Sequence, residues 1–411
     1  MAEIKIPLDI TEVEVMEVEI TRNSKIIITV ESTVEGTYCH VCGRRITKSF
    51  GHTQMITLRH LSILNMETYI RIHPLRYQCT YCNCSPTTTR ILSWYDQRSP
   101  HSRAFEDHVL LELVNSTVED VSIKERLGYE AVMGIINRRV STSVNWKEVK
   151  RIDVIGIDEI SLKKGHKDFV TIVSARIGDK IIVLAVLKDR KKDTVKEFLL
   201  TIPEHIRKGI EAVCSDMYDG FINAAKEVFG DKVVVDRFHV AKLYRKGLET
   251  LRKKELKRLK NELSEDEYKK LKGVMWLLRK SKDELTKEEA ETLKYLFNLS
   301  PMLESAYNLC RKLTDIFEEN ISKSKAKRKI KNWRKKVEKS GLTCFKAFLK
   351  TLDTRINEIT NYFIDRQTSG FVEGLNNKIK VIKRRCYGIL NINHLFQRIH
   401  LDLEGYSSLL A

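Results

Sequence analysis

Residues 151–187 run RIDVIGIDEISLKKGHKDFVTIVSARIGDKIIVLAVL, and their reading decides the architecture of the chain. Three β-branched apolar runs, RIDVIGID, DFVTIVSARI and KIIVLAVL, have strand length and strand composition. Gly178-Asp179 supplies a turn between the last two. Three strands in immediate succession predict an antiparallel meander. Outward from it, DTVKEFLLTIPEHI carries the apolar spacing of an amphipathic helix, with Asp193 or Thr194 as its cap. IEAVCSD reads as a fourth strand, YDGFINAAKEVF as a helix and KVVVDRFHV as a fifth strand.

A meander followed by helix, strand, helix and strand is the order of a ribonuclease H-like α/β domain. That order puts Asp158 on the first, central strand and Asp216 at the end of the fourth, as neighbours. Glu373 opens a stretch, EGLNNKIK, that reads as a helix. Carboxylates gathered from two strands and a helix suit a pair of hard divalent cations, Mg²⁺ or Mn²⁺, which prefer oxygen ligands. Two such ions activate a nucleophile and a leaving oxygen at a phosphodiester. On a helix, Glu373, Asn376, Asn377 and Lys380 share a face, so the amides and the amine are placed to hold phosphates, with Lys383 and Arg384 beyond them. The alternative for Glu373 is a carboxylate that merely complements the helix dipole. Asp236 and His239, near the end of the fifth strand, are candidate supporting partners. Glu159 and Asp219 are expected to be structural or solvent-facing. Lys163, Lys164 and His166 fall on the first hairpin, within reach of nucleic acid.

The separation of 157 from Asp216 to Glu373 exceeds what a helix and a strand require. The surplus is a charged, helical insertion over 241–365. Within it, residues 321–339 hold ten Lys/Arg against one Glu, interrupted by Trp333. A charge run is ordinarily a solvated face. An excess this one-sided points to phosphate contact through Lys327, Arg328, Lys329 and Lys331. The whole chain of 411 residues carries a net charge of +18, which also favours a polyanionic partner.

The first hundred residues differ in kind. EVEVMEVEI and KIIITVEST alternate apolar and polar residues about Arg22-Asn23-Ser24, the pattern of a β-hairpin. Cys39 and Cys42 form one CxxC pair, Cys79 and Cys82 another. Two such turns can present four thiolates to one structural Zn²⁺, the alternative being four buried thiols. The crowded CTYCNC leaves Cys84 able to stand in for Cys82. Residues 103–140 read as three short helices, the second with capping-box spacing at Ser116 and Glu119. They form either a helix-turn-helix, with Arg138 and Arg139 closing a DNA-reading helix, or a plain three-helix module. No apolar run approaches the roughly 20 residues of a membrane span. The N-terminus lacks a secretory layout, and the CxxC pairs favour a reducing compartment, so a cytoplasmic, DNA-associated protein is expected.

Taken together, CHVCGRR, RYQCTYC, VIGIDEISLKKGHKDFVTIV, VCSDMYDGF, VVVDRFHVAKL and TSGFVEGLNNKIKVIKRRCYGI resemble the Asp-Asp-Glu transposases of the bacterial insertion sequence L three family. The resemblance spans nearly the whole chain. It implies that Asp158, Asp216 and Glu373 are the catalytic acids, and that a zinc-binding end-recognition region precedes a helix-turn-helix. The expected organisation is a β-rich zinc-binding region (1–100), a helix-turn-helix (101–148), a core begun at 149–240 and completed at 366–411, and the insertion (241–365). The expected activity is metal-dependent cleavage and joining of double-stranded DNA at terminal inverted repeats, by a dimer. A nuclease that cuts without joining, and a DNA-binding regulator with an inactive core, are the alternatives.

Overall fold

The computed structural model describes residues 7–163 and 167–410, so Lys164 and His166 lie outside the described residues. The chain is a mixed α/β, multidomain protein that divides into two compact units, Met1–Ser141 with Gln397–Ala411, and Thr142–Phe396.

In the first unit, β1 (Val13–Ile20) and β2 (Ile26–Ser32) form the expected antiparallel hairpin, with Ile20 opposite Ile26. Short strands β3 (Thr37–Tyr38), β4 (Arg45–Ile46) and β5 (Ser49–His52) follow. Then come β6 (Ile56–Ile63), β7 (Met66–Ile72), β8 (Leu75–Gln78) and β9 (Thr87–Thr89). One sheet has the order β1-β2-β7-β6, with Ile26, Ile28, Val30 and Ile70 buried beneath it. The smaller sheets, β3-β4 and β5-β8-β9, bury Cys39, Ile46, Tyr77 and Cys79 together.

Helices α1 (Arg103–Leu113), α2 (Val118–Glu125) and α3 (Tyr129–Arg139) complete the N-terminal part of this unit. The cap of α2 is one residue later than expected: Thr117, not Ser116, accepts from the Asp120 N–H at 3.0 Å. Threonine in extended conformation satisfies the same orphan donor, and the register follows it. The module also has a fourth helical wall. Residues 397–411 join this unit, where the sequence expectation kept all of 366–411 with the core. Leu401 enters the cluster of Phe105, Val109, Ile135 and Ile136. The fully buried Arg398 donates to the carbonyls of Leu113 (2.9 Å) and Ser116 (2.8 Å). Those carbonyls lie at and just beyond the end of α1, where a buried cation satisfies orphan acceptors.

The second unit is built on a five-stranded sheet of order β12-β11-β10-β13-β14. Its strands are β10 (Val154–Lys163), β11 (Lys167–Ile177), β12 (Lys180–Leu187), β13 (Ala212–Ser215) and β14 (Val233–Val235). The first three pair antiparallel, whereas β13 runs parallel to both β10 and β14. Helices α4 (Lys192–Thr201), α5 (Glu204–Gly209) and α6 (Asp219–Phe229) make the crossovers. Helix α4 starts before the expected caps: its N-cap is Lys191, whose N–H is taken by the Asp189 carboxylate at 2.9 Å. The fifth strand is also shorter than its sequence suggests. Asp236 ends it by capping α7 (Arg237–Glu262), so RFHV is helical.

The insertion is helical, comprising α7, α8 (Glu265–Lys269), α9 (Val274–Leu277), α10 (Lys287–Leu299), α11 (Pro301–Glu318), α12 (Lys323–Lys339), α13 (Lys346–Thr360) and α14 (Tyr362–Asp365). Ala326, Ile330, Trp333 and Val337 line the buried stripe of α12, and the lysines take the other face. Trp333 is therefore a core residue, with its indole N–H on the Leu309 carbonyl at 2.8 Å. Helix α13 is tied to the sheet region through Glu358–Lys226 (2.7 Å). Asn361 donates to the carbonyls of Asp231 and Val233. The chain then re-enters the sheet region through α15 (Gly370–Arg385) and leaves by α16 (Ile392–Leu409). No helix of the described residues is long and apolar enough to cross a membrane.

Candidate active site

Strand register brings the first two acids together. Ile157 pairs with Ser215 in the parallel ladder between β10 and β13. The next residues are Asp158 and Asp216, so both carboxylates stand side by side where the parallel ladder ends, although β10 itself runs on to Lys163 beside β11. The neighbouring strand end belongs to β14, where Asp236 begins α7.

Gly156 and Asp158 share a face of β10 because side chains alternate along a strand. A Cβ on Gly156 would meet Val372 Cγ2 at 2.2 Å and Phe371 Cζ at 2.9 Å. That glycine is the close-approach point at which α15 lies on the sheet. One turn along α15, the buried Asn376 amide donates to Asp158 Oδ2 at 2.7 Å. Its own Oδ1 is buried without a partner. Asn376 thus holds a catalytic-acid candidate, where phosphate contact was expected. Glu373 sits one turn earlier, exposed, in the first turn of α15. Asn377, Lys380 and Arg384 are exposed further along the same helix.

Burial raises the pKa of Asp158, and the charge of Asp216 raises it further, against the lowering effects of the Glu159 N–H and His239. Burial likewise raises Asp216, opposed by the Tyr218 N–H bond to its Oδ1 (2.9 Å) and again by His239. His239, in the first turn of α7, therefore acts electrostatically on both acids. Glu159 pairs with Arg190 at 2.9 Å, whose guanidinium lies over the rings of Phe169 and Tyr218. Asp219 is exposed and pairs with Arg355.

Asp236 has a larger role than its spacing suggested. It is buried, and its Oδ1 accepts from the N–H groups of Phe238 (2.7 Å) and His239 (3.3 Å). Its Oδ2 accepts from the Ser369 N–H (2.8 Å) and hydroxyl (2.7 Å), at the N-cap of α15. One carboxylate thereby fixes the starts of the helices that carry His239 and Glu373. An Asp immediately before a helical apolar pattern was the available sign.

Among the described residues, the one group of three or more potential ligands whose donor atoms all lie within 4.8 Å of one another is Cys39, Cys42, Cys79 and Cys82. Asp158, Asp216 and Glu373 do not close to that distance together. Sulfur pairs Cys42–Cys79 and Cys79–Cys82 stand 3.8 and 3.6 Å apart. Four thiolates at about 2.3 Å from a tetrahedral zinc are about 3.8 Å apart. Each CxxC turn also aims a backbone N–H at its first sulfur, Val41 to Cys39 and Tyr81 to Cys79, both 3.4 Å. Backbone N–H groups, that of Cys42 first, hold the Cys39 thiol down at about 6, while burial pushes Cys82 up to about 12. Cys84 is exposed and outside the cluster.

The anticipated DNA-contact cations divide into engaged and free. Arg138 pairs with the buried Glu106, and Arg139 with Asp107 (2.6 Å) and Glu106 (3.5 Å), so both brace α3 against α1. Lys327 donates to Asn357 (2.9 Å), and Lys329 pairs with Glu319. Arg328 and Lys331 are exposed, with no carboxylate within 4.0 Å among the described residues. Lys383, its pKa lowered by burial, donates to the carbonyls of Ser161 and Leu162 (3.2 Å) at the end of β10. Lys163 pairs with Asp168.

A parallel strand pair carrying two partly buried carboxylates, with an exposed acid on the helix laid against it, gathers oxygen donors in one region of the second unit. Comparison with known proteins identifies the family. Residues 155–399 match the family model DDE_Tnp_ISL3, described as a transposase. The chain belongs to this transposase family. It is 25% identical over 380 residues to the transposase for insertion sequence element IS1001 of Bordetella parapertussis, covering 92% of this chain and 91% of that protein. It is 22% identical over 395 residues to the transposase for insertion sequence element IS1557 of Mycobacterium tuberculosis, covering 90% and 86%. A solved structure, the Drosophila P element transposase strand transfer complex, aligns over 72% of this chain and 91% of its own at 11% identity, with a TM-score of 0.37.

Proposed function

We propose that this transposase cuts and joins DNA at the terminal inverted repeats of an insertion sequence, using Asp158, Asp216 and Glu373 as the ligands of two divalent cations in a ribonuclease H-like core. The observation that carries the reading is the Ile157–Ser215 register, which sets the two aspartates side by side beneath α15. The donor set fits hard cations: each aspartate keeps one oxygen on a backbone N–H, and neither has a cationic side chain within 4.0 Å among the described residues. When bound, Mg²⁺ or Mn²⁺ supplies Lewis-acid stabilisation at the attacking and leaving oxygens. The protein's part is positional. Asp236 and Gly156 fix α15, Asn376 orients Asp158, and Arg190 draws Glu159 aside into an ion pair.

In the same reading, the four cysteines hold one structural Zn²⁺, whose geometry their sulfur spacing already matches. The zinc-binding region (1–100) and the helical module after it (101–148), read as a helix-turn-helix, recognise the terminal repeat. Arg328 and Lys331 contribute phosphate contacts from the insertion (241–365), and residues 149–240 and 366–396 make the catalytic core. Processing two ends together calls for a dimer. A cytoplasmic, DNA-associated protein fits these roles.

Cleavage of a labelled terminal-repeat duplex in Mg²⁺ tests the assignment. Asp216→Asn and Glu373→Gln should each abolish cutting, while Asp219→Asn, which loses only a surface ion pair, should retain it. Cutting by Glu373→Gln at the wild-type rate removes that residue from the site. Nicking without strand-transfer products points instead to a nuclease.

A further inference from the structure

The helical insertion contains a cavity of about 500 Å³ walled by α7, α9 and α11. Ligand pockets run to about 300–1,000 Å³, so this one is large enough for a nucleotide and too small for stacked base pairs. Six cations line it, Lys242, Arg245, Lys246, Arg252, Arg279 and Arg311, against one acid, Glu249. Glu249 is spent on Arg252, at 2.9 Å to Nε, and Arg279 lies over the Trp276 ring. Lys242, Arg245, Lys246 and Arg311 have no carboxylate within 4.0 Å among the described residues. Like charges gathered in a concavity without counter-ions favour an anion there.

The remaining wall is apolar, formed by Leu248, Leu278 and the exposed ring of Phe238. Tyr307 lines the same cavity. It is only 3% exposed, and its hydroxyl is buried with no hydrogen-bond partner. Buried hydroxyls are ordinarily paired, so this one marks a place for a polar ligand group. Phosphate affinity, an aromatic shelf and an unused hydroxyl together describe a nucleotide.

Position ties the cavity to the acids. Asp236, directly after the strand next to the one that ends before Asp216, accepts from the N–H groups of Phe238 and His239, so Phe238 and then His239 start α7 beside the end of the parallel ladder. Lys242 and Lys246 follow about 5 and 11 Å further along the helix axis. We propose that this cavity seats one unpaired nucleotide of the DNA strand being processed, its base on Phe238 and its phosphate on Arg245 and Arg311. The inference rests on the function proposed above and adds a strand-holding site outside the carboxylates.

The test uses the full chain in EDTA, with a fluorescein-labelled 12-nucleotide single strand and the terminal-repeat duplex as anisotropy probes. Wild-type cleavage of the duplex in Mg²⁺ is measured in parallel. The double variant Arg245→Ala/Arg311→Ala should weaken single-strand binding about tenfold and duplex binding less than threefold. Tyr307→Phe should weaken single-strand binding about fivefold. Its melting temperature should not fall, since the hydroxyl has no protein partner to lose. As competitors, dAMP should act at higher concentration than unlabelled strand, and pyrophosphate at higher concentration still. If dAMP displaces the probe as well as the strand does, a free nucleotide is the occupant and the strand assignment is overturned. Cleavage by wild type together with unchanged strand binding by both variants overturns the cavity alone. A wild-type chain that neither binds nor cuts DNA overturns the proposed function, and this inference with it.

Discussion

Asp158→Asn should stabilise the metal-free protein while abolishing cleavage, and the size of the effect follows from the strand geometry. Asp158 and Asp216 lie side by side at the end of the parallel ladder, on strands about 5 Å apart. Two like charges at that separation repel by about 3 kcal/mol at an effective dielectric of about 20. Partial exposure of both groups and the opposing charge of His239 reduce the relief on neutralisation to about 1–2 kcal/mol. The substitution leaves little unpaired. Asn376 Oδ1 is buried without a partner, so turning that amide presents an acceptor to the amide N–H₂ that the substitution introduces. For a unit of this size each kcal/mol moves the melting temperature by about 2–4 °C, giving a rise of about 2–8 °C in EDTA. Mg²⁺ at a hundredfold excess over its dissociation constant should add about 2.7 kcal/mol to wild type and little to the variant. The order of melting temperatures therefore inverts on adding Mg²⁺. Differential scanning fluorimetry in EDTA and in Mg²⁺ reads both effects. The pH dependence has a defined sign. Both acids have raised folded-state pKa values, so their favourable contribution is complete below the unfolded value and is lost as pH rises through the folded one. The gap in EDTA should accordingly close as pH falls from neutrality into the carboxylate range. A variant that melts several degrees below wild type in EDTA, yet gains as much from Mg²⁺, would refute the reasoning.

Elemental analysis should find one zinc per chain, lost in Cys39→Ser together with the near-ultraviolet signal of the first unit, while the five-stranded sheet persists. Neutralising Lys327, Arg328, Lys329 and Lys331 should reduce the logarithmic salt slope of DNA binding by about 1.8, counting only the two unpartnered cations; an unchanged slope makes α12 a solvated face. Asp236→Ala removes a helix cap and both bonds to Ser369, about 3 kcal/mol together. It should lower the melting temperature by about 6–12 °C and slow cleavage more than it weakens duplex binding; equal losses in both assays would reduce Asp236 to a purely structural residue.

Much of the second unit was legible in the sequence. Strand periodicity around 151–187 marked the meander, and Asp216 could be placed because a strand-length apolar run ends directly before it, whereas β10 runs on past Asp158 to Lys163. The CxxC turns were legible for a related reason: a thiolate pair needs that local spacing, whatever surrounds it. Local signals failed where a partner came from far along the chain. Thr117 and Lys191 displaced the expected caps by one to three residues, because several polar residues in a row can satisfy the same orphan N–H groups. Trp333 read as a break in a basic face, yet its indole N–H belongs to Leu309 in the core. Arg138 and Arg139 read as free cations, yet Glu106 and Asp107 neutralise them from another helix.

The sequence by itself marked most strands and helices of the second unit, and singled out the acids and the cysteines as candidate cation ligands, since periodicity and residue chemistry are local properties. Tertiary structure alone decided that Asn376 holds Asp158 from 218 residues away, that Asp236 clamps the start of α15, and that residues 397–411 wall the N-terminal helical module. Each of these depends on a buried hydrogen-bonding or apolar group finding its complement across the fold. No spacing rule encodes that, because satisfaction of buried polar groups and close packing are conditions on the assembled interior.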